Sequence, residues 1–256
     1  MKKYFVFLLA LPLMVTSCKK ETTEDTDDDH EHGTTGTVEV SFSNYVGDSI
    51  LILDTKDYLN ANGDTFSVSK LNYYISNVKL TASDNSVFSE TESYHLLQAS
   101  DAASLKFNLA GLPEKNYTSI TFTLGVDSLR NVSGAQTGAL DPTKGMFWNW
   151  NSGYIMAKME GMSPKSGDAM GMLMLHVGGF SGANNVLKTI TINFPSSINV
   201  NHHAMPQVKL KADLAQWFKS PETIDFATTY MIHMPGASAK KVADNYADMF
   251  SLISAN

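Results

Sequence analysis

The stretch ITFTLGV, residues 120–126, alternates between an apolar side chain and Thr or Gly. Successive side chains on a strand point to opposite faces, so this alternation predicts a strand with one buried face. The same period of two recurs in residues 38–43, 190–194 and 208–212. Turn signals such as Asp141–Pro142 separate these stretches. The pattern predicts an all-β fold, an antiparallel β-sandwich.

Two helices are expected beside the strands. Residues 213–219 predict a short helix that buries Leu214 and either Trp217 or Phe218. A second helix is predicted near the C-terminus, with Ser238 available as its N-cap. Its apolar face would comprise Val242, Tyr246, Met249 and Phe250.

The first 37 residues are expected to precede the folded domain. A basic start and a short apolar run lead to Val15–Thr16–Ser17–Cys18, which resembles a lipobox. Residues 1–17 are therefore predicted to be a lipoprotein signal peptide, and Cys18 the lipidated first residue of the mature chain. Residues 18–37 are acidic and nearly devoid of apolar side chains, which predicts a flexible tether. Residues 38–256 are assigned to one domain.

The lipid anchor predicts an outer-membrane lipoprotein on the periplasmic or the cell-surface face. The acidic residues behind Cys18 resemble the surface-export tags of Bacteroidetes lipoproteins.

Cys18 is the single cysteine, so neither an intrachain disulfide nor a cysteine metal site is expected. The net charge is −7 and basic residues do not cluster with aromatic ones, so nucleic acid is not an expected partner. Common catalytic motifs such as Gly-x-Ser-x-Gly do not occur, and no enzymatic activity is predicted.

The segment 145–154, GMFWNWNSGY, contains two of the three tryptophans. On an extended strand Trp148 and Trp150 would project from the same face. Asn149 lies between them, and glycines stand near both ends of the segment. A pair of indoles in a polar, glycine-flanked setting is consistent with either a binding site or core packing.

Thioether and imidazole groups alternate in residues 170–176, MGMLMLH. As a strand, this stretch would place Met170, Met172, Met174 and His176 on one face. Those donors together suit Cu(I), a soft ion, although methionine is more often a packing residue. His202–His203 is a second candidate, and His233 a third. Both stretches are also compatible with a surface loop.

Several segments, in order along the chain, resemble the MbnP family of periplasmic and surface copper-binding proteins. The Trp-x-Trp segment is the most specific of them, and His176–Val177–Gly178–Gly179 is similar to a family segment whose histidine is associated with copper. The remaining similar segments are 71–78, 125–131 and 158–161. Val132 stands where some members carry a histidine, so another histidine would have to replace it.

The resemblance implies a copper site. The implied modification sites are Trp148 and Trp150, one of which a partner di-haem peroxidase-like protein would oxidise to kynurenine. The implied Cu(I) ligands are His176, Met174, His203 and His202. The implied framework of the site is Asn149, Tyr154, Asp127 and Asn131. The alternative function is a surface binding module that holds a glycan, peptide or protein through its aromatic side chains without a metal.

Overall fold

The computed structural model describes residues 34–134, 136–149 and 152–256, without the side chain of Asn149. The predicted signal peptide, Cys18 and Trp150 lie outside these residues. The strands are β1 Thr35–Val46, β2 Ser49–Ile50, β3 Asp57–Leu59, β4 Thr65–Ala82, β5 Val87–Ser89, β6 Tyr94–Gln98, β7 Lys106–Pro113, β8 Lys115–Leu124, β9 Phe147–Asn149, β10 Gly153–Met162, β11 Met172–Gly178, β12 Lys188–Val200, β13 Gln207–Asp213, β14 Met231–Ile232 and β15 Phe250–Ala255. The α-helices are α1 Ser128–Asn131 and α2 Ala237–Tyr246.

Within the described residues the strands form two sheets. The smaller sheet is 5-stranded, with the order β15-β13-β1-β2 and β7 also paired to β1. The larger sheet is 10-stranded, and its main path runs β12-β8-β4-β10-β11-β14. The predicted all-β sandwich is confirmed, but its sheets are mixed, because β1 pairs with β13 and β11 with β14 in parallel.

The core lies between the two sheets and is rich in aromatic rings. Phe42 on β1 packs against Tyr73 on β4, with ring centroids 6.4 Å apart, and against Phe122 on β8 at 6.0 Å. Phe250 on β15 completes the cluster 5.9 Å from Phe42. Edge-to-face pairs of this kind add about 0.5–1.5 kcal/mol each beyond the apolar area that they bury. The alternating strand residues therefore supply one continuous core.

The opposite face of the larger sheet is partly covered by residues 126–134 and 136–149. Tyr74 follows Tyr73 on β4 and so points to this other face, where it packs edge-on against Tyr154 at 5.7 Å. The Tyr74 hydroxyl donates to the carbonyl of Ala139, and the Tyr154 hydroxyl donates to that of Leu140. These bonds fasten the segment that leads to Trp148 onto the sheet.

The two predicted helices have different outcomes. The first is a 3₁₀ helix over Leu214–Phe218 that buries Leu214, Trp217 and Phe218, as expected. The second is α2, but Gly236 occupies its N-cap position and Ser238 lies inside the helix. The chain leaves the helix after Tyr246 and turns into β15, which pairs with β13.

The start of the sheet also differs from the predicted boundary. Strand β1 begins at Thr35, so residues 35–37 of the predicted tether belong to the sheet. They pair with the end of β7, opposite residues 110–113. Of the helices that the structure describes, none is both long and apolar enough to span a bilayer.

Candidate metal centre

Strand β11 separates its side chains into a buried face and an outer face. Its buried side chains are Leu173, Leu175 and Val177, each at 0% exposure. Met172, Met174 and His176 alternate with them and are half-buried on the outer face. This confirms the predicted shared face, apart from Met170, which precedes β11 and is 73% exposed.

The register of β10 and β11 builds a charged cluster around His176. Lys158 lies opposite His176, and Glu160 lies opposite Met174, so all four share the outer face. The Nε2 atom of His176 is 2.9 Å from Oε1 of Glu160. The other carboxylate oxygen accepts a hydrogen bond from Lys70 Nζ on β4 at 2.8 Å. Glu160 therefore fixes the imidazole ring and is itself fixed from the other side.

The electrostatics keep His176 neutral and Glu160 ionised. Burial lowers the pKa of His176, and the ammonium of Lys158 lowers it further, against the opposing effect of Glu160. Burial alone would raise the pKa of Glu160, but hydrogen bonds from Lys70 and His176 outweigh it and hold that pKa below its usual value. An ionised carboxylate can only accept hydrogen bonds, so the Nε2 atom of His176 carries the ring proton. The lone pair on Nδ1 is then free to bind a ligand.

Trp148 lies on the same face as His176. A Cβ atom built on Gly178 would be 2.5 Å from Cζ3 and 2.9 Å from Cη2 of the Trp148 indole, so the ring occupies the space above this glycine. Gly178 is two residues beyond His176 on β11 and faces the same way. The predicted modification site and the predicted ligand are therefore neighbours.

Lys158 ties the beginning of the Trp segment to this face. It is 8% exposed, and its ammonium donates a hydrogen bond to the carbonyl of Gly145. Burial lowers the pKa of Lys158, while the charge of Glu160 opposes that shift. Asn72 lies opposite Lys158 on β4, and its Oδ1 is buried without a hydrogen-bond partner among the described residues. The Asn72 Oδ1 atom can therefore still accept a hydrogen bond from a further donor.

The predicted framework residues have structural roles beneath the Trp segment. Asn131 Oδ1 accepts the backbone N–H of Tyr154 at 2.8 Å, and its amide donates to the carbonyls of Val126 and Asp127. Asp127 caps α1 by accepting the backbone N–H of Arg130. Asn149 belongs to β9, which pairs with the start of β10. Asp127 thus holds α1, and Asn131 and Tyr154 join α1 and the segment around Leu140 to the start of β10, which follows the Trp segment.

His233 lies closer to this face than the sequence indicated. Strand β14 pairs in parallel with β11, with Met231 opposite Met174 and Ile232 opposite Leu175. His233 is the next residue, beside the position of His176, and is exposed. The chain then stays close to β11, since a Cβ on Gly179 would be 3.3 Å from Pro235. This proximity depends on a parallel pairing that no local pattern reveals.

The structure does not bring His202 and His203 to the same place. They lie in the turn after β12, which forms one edge of the main path of the larger sheet, whereas β14 forms the other. Their rings are not on opposite faces, as adjacent strand residues would be, but 3.7 Å apart. His202 Nδ1 is paired with Glu114 at 2.5 Å. A single site cannot combine these histidines with His176.

The donors around His176 fit a soft or borderline cation. Within the described ranges, no group of three or more His, Cys, Asp or Glu side chains is placed to hold a metal ion. The nitrogen and sulfur donors that this face presents are the imidazole of His176 and the thioether of Met174. Imidazole and thioether ligands select copper over calcium or magnesium.

The fold and this face define the class of protein. The family model described as MbnP matches residues 35–235, and the chain belongs to the MbnP family. The resemblance predicted from the sequence is thus confirmed.

A solved structure gives the particular relative. MbnP from Methylosinus trichosporium is similar over 75% of this chain and 80% of that chain, with a TM-score of 0.52 and 15% sequence identity. At that identity the likeness concerns the fold alone. None of the curated proteins that were compared matches this chain.

Proposed function

We propose that this protein is an exported copper-binding lipoprotein with a Cu(I) site on the outer face of β10 and β11. The observation that carries the proposal is the placement of the Trp148 indole on Gly178, one position along the same strand face from His176. Membership of the MbnP family supports a copper-related role. The protein would sequester or hand over the metal rather than catalyse a reaction.

His176 is the proposed principal ligand, through Nδ1. Metal-binding histidines commonly donate their other ring N–H to a carboxylate, which fixes the tautomer and makes the ligand nitrogen more basic. Glu160 supplies this second contact, at 2.9 Å from Nε2. Met174 on the same face and His233 beside β11 are the proposed further donors. When bound, copper would provide a soft centre that accepts nitrogen and sulfur ligands together.

Trp148 or Trp150 is the proposed site of oxidation to kynurenine by a di-haem peroxidase-like partner. The haem partner, with peroxide as oxidant, would cleave the C2–C3 bond of the indole; oxygen is added, C2 leaves as formate, and an aromatic amine and a ketone replace the indole N–H. These groups would add polar donors beside an imidazole, where the unmodified ring offers only one N–H. The half-buried position of Trp148, against the sheet but not enclosed by it, supports access by a partner.

The membrane attachment is proposed to run through a lipid on Cys18, followed by an acidic tether. This arrangement would hold the domain at the outer membrane, on the periplasmic or the cell-surface side. A single acyl chain binds a bilayer only weakly. The proposed anchor is therefore a lipoprotein-type modification that carries several acyl chains.

The experiment combines intact mass with Cu(I) titration of protein purified from its native host. We expect a tryptic peptide containing Trp148 and Trp150 to show the gain of oxygen and loss of carbon. Cu(I) should bind under reducing conditions, and His176→Asn should weaken it by more than about tenfold. His203→Asn is the matched control and should leave the affinity unchanged.

Two outcomes would contradict the proposal. Modified protein that binds no Cu(I) would remove the copper function. Equal affinities for His176→Asn and the wild-type protein would remove His176 as a ligand. An additional His233→Asn variant tests whether the histidine next to β11 contributes.

A further inference from the structure

The far end of the β10–β11 hairpin carries a second set of sulfur atoms. Met162, the last residue of β10, lies opposite Met172, the first residue of β11. Cross-strand partners have Cβ atoms about 4.5–5.5 Å apart on one face. Met170 stands two residues before Met172, in the connecting turn. Three methionines therefore meet at one end of a single hairpin.

Gly171 brings these residues together. It has a φ of 77°, in the left-handed region, and a Cβ built on it would be 3.7 Å from the Met162 methyl carbon. The Met162 side chain thus reaches the glycine that separates Met170 from Met172. Met162 and Met170 also line one open cavity of about 360 Å³, beside Asp57.

The turn is held by hydrogen bonds rather than by burial of the thioethers. Asp168 Oδ1 accepts the backbone N–H groups of Met170 at 2.9 Å and of Met172 at 3.2 Å. The carbonyl of Gly171 accepts the N–H of Ser163 at 2.8 Å. The backbone that carries Met170 and Met172 is therefore fixed before any ligand arrives, which reduces the entropic cost of binding.

Core packing does not account for these side chains. Met170 is 73% exposed and Met162 is 47% exposed, whereas methionine in its packing role fills gaps inside a core. Thioethers are poor ligands for hard cations and suit soft ones, of which Cu(I) is the biological example without a thiolate requirement. The carboxylate of Asp57 at the same cavity adds a negative charge that attracts a cation.

We propose that Met162, Met170 and Met172 form a surface site for a soft monovalent cation, Cu(I) or its analogue Ag(I), bound through three thioether sulfurs. The site is separate from His176 and requires neither that imidazole nor a modified tryptophan. It therefore stands or falls independently of the proposed function of the His176 face.

The test is Ag(I) titration of the full chain labelled with [¹³C-methyl]methionine, followed by NMR. Ag(I) is used because it does not change oxidation state. We expect the methyl signals of Met162, Met170 and Met172 to shift together and to saturate at a single equivalent. The variant M162L/M170L/M172L should lose that equivalent, while Leu keeps the side-chain volume nearly constant.

The control variant M205L/M231L/M234L also replaces three methionines, all of them exposed, elsewhere on the chain. It should keep the Ag(I) equivalent, as should His176→Asn. Equal shifts across all exposed methionines, or unchanged binding by M162L/M170L/M172L, would overturn the proposal. Loss of the shifts in His176→Asn would also overturn it, because the sulfur site would then depend on the other face.

Discussion

Two histidine–glutamate pairs on this protein have similar contacts but different surroundings. His176 with Glu160 and His202 with Glu114 are separated by 2.9 and 2.5 Å, respectively. The His176 side chain is 12% exposed, whereas that of His202 is 49% exposed. Glu160 also accepts a hydrogen bond from Lys70, and Gly178, two residues beyond His176, lies under the Trp148 indole.

The difference shows that a short contact does not define a site. The His202 pair joins a turn to a nearby glutamate, and solvent weakens such an exposed pair. The His176 pair is built by the register of three strands, which also determines its charge neighbours. Partial burial makes each of those neighbours matter more, because water screens them less.

Gly178→Ser should have the largest effect on stability. The added Cβ would meet the Trp148 ring at 2.5 Å and the carbonyl oxygen of Tyr154 at 2.8 Å. We expect the free energy of unfolding to fall by about 2 kcal/mol, as for an overpacked site, and Trp fluorescence to change. Urea unfolding measures the change in the free energy of unfolding.

Gly236→Ser is the matched control, since nothing lies within 4 Å of a Cβ at that position. Gly236 is the N-cap of α2, where Ser is a favoured residue, so its unfolding free energy should not fall. Equal stability of Gly178→Ser and the wild type, with unchanged fluorescence, would show that Trp148 does not rest on Gly178.

Glu160→Gln should destabilise the protein by about 1–2 kcal/mol at neutral pH. The carboxylate accepts hydrogen bonds from both Lys70 and His176, and an amide cannot replace both acceptor oxygens. Glu222→Gln is the control, because the Glu222 and Lys241 side chains are 51% and 56% exposed and 3.9 Å apart. Urea unfolding curves that shift equally for the two variants would remove the distinction between the His176 cluster and ordinary surface pairs.

The strands and the donor face could be predicted from the sequence, because each depends on a local period of two. The alternation in residues 172–177 correctly placed His176 and Met174 together, and the Trp segment correctly indicated the family. Even the contact between Gly178 and Trp148 had a signal in the sequence. A glycine inside a strand marks a close approach of another group, and Gly178 is such a glycine.

The remaining features depend on pairings between distant segments. The cluster of Lys70, Glu160 and His176 requires the register of β4, β10 and β11, including an irregularity between Glu160 and Gly161. His233 joins the face only through the parallel pairing of β14. The C-terminal apolar residues satisfied a helical period, yet Phe250 is the first residue of β15. Spacing alone does not reveal where a helix gives way to a strand.

Asp127→Asn tests the framework beneath the Trp segment through its dependence on pH. Burial would raise the pKa of Asp127, but hydrogen bonds from Asn77, Tyr94 and the backbone of Arg130 outweigh it and hold the pKa below its usual value of 3.8. The resulting stability is present above that usual value and is lost as the pH falls through the native pKa.

We therefore expect Asp127→Asn to cost about 1 kcal/mol at neutral pH, because the single amide oxygen can accept either from Asn77 and Tyr94 or from the Arg130 N–H, and the amide nitrogen then faces a donor on the other side. The difference from the wild type should begin to shrink below about pH 4, where the carboxyl of the unfolded chain takes up a proton, and should disappear once the pH falls below the lower native pKa. Unfolding free energies measured across that range check the sign. A gap that widens on acidification would contradict the assignment of an ionised Asp127.

Glu114→Gln should have the smallest effect and completes the contrast between the two pairs. Hydrogen bonds from the His202 side chain and backbone lower the pKa of Glu114, but the interaction lies at the surface. We expect the urea midpoint of unfolding to stay at its wild-type value, as for other exposed ion pairs. Measurements at low and high salt should agree with each other. A loss as large as that of Glu160→Gln would mean that the shorter contact, and not the strand register around His176, determines how much a pair contributes.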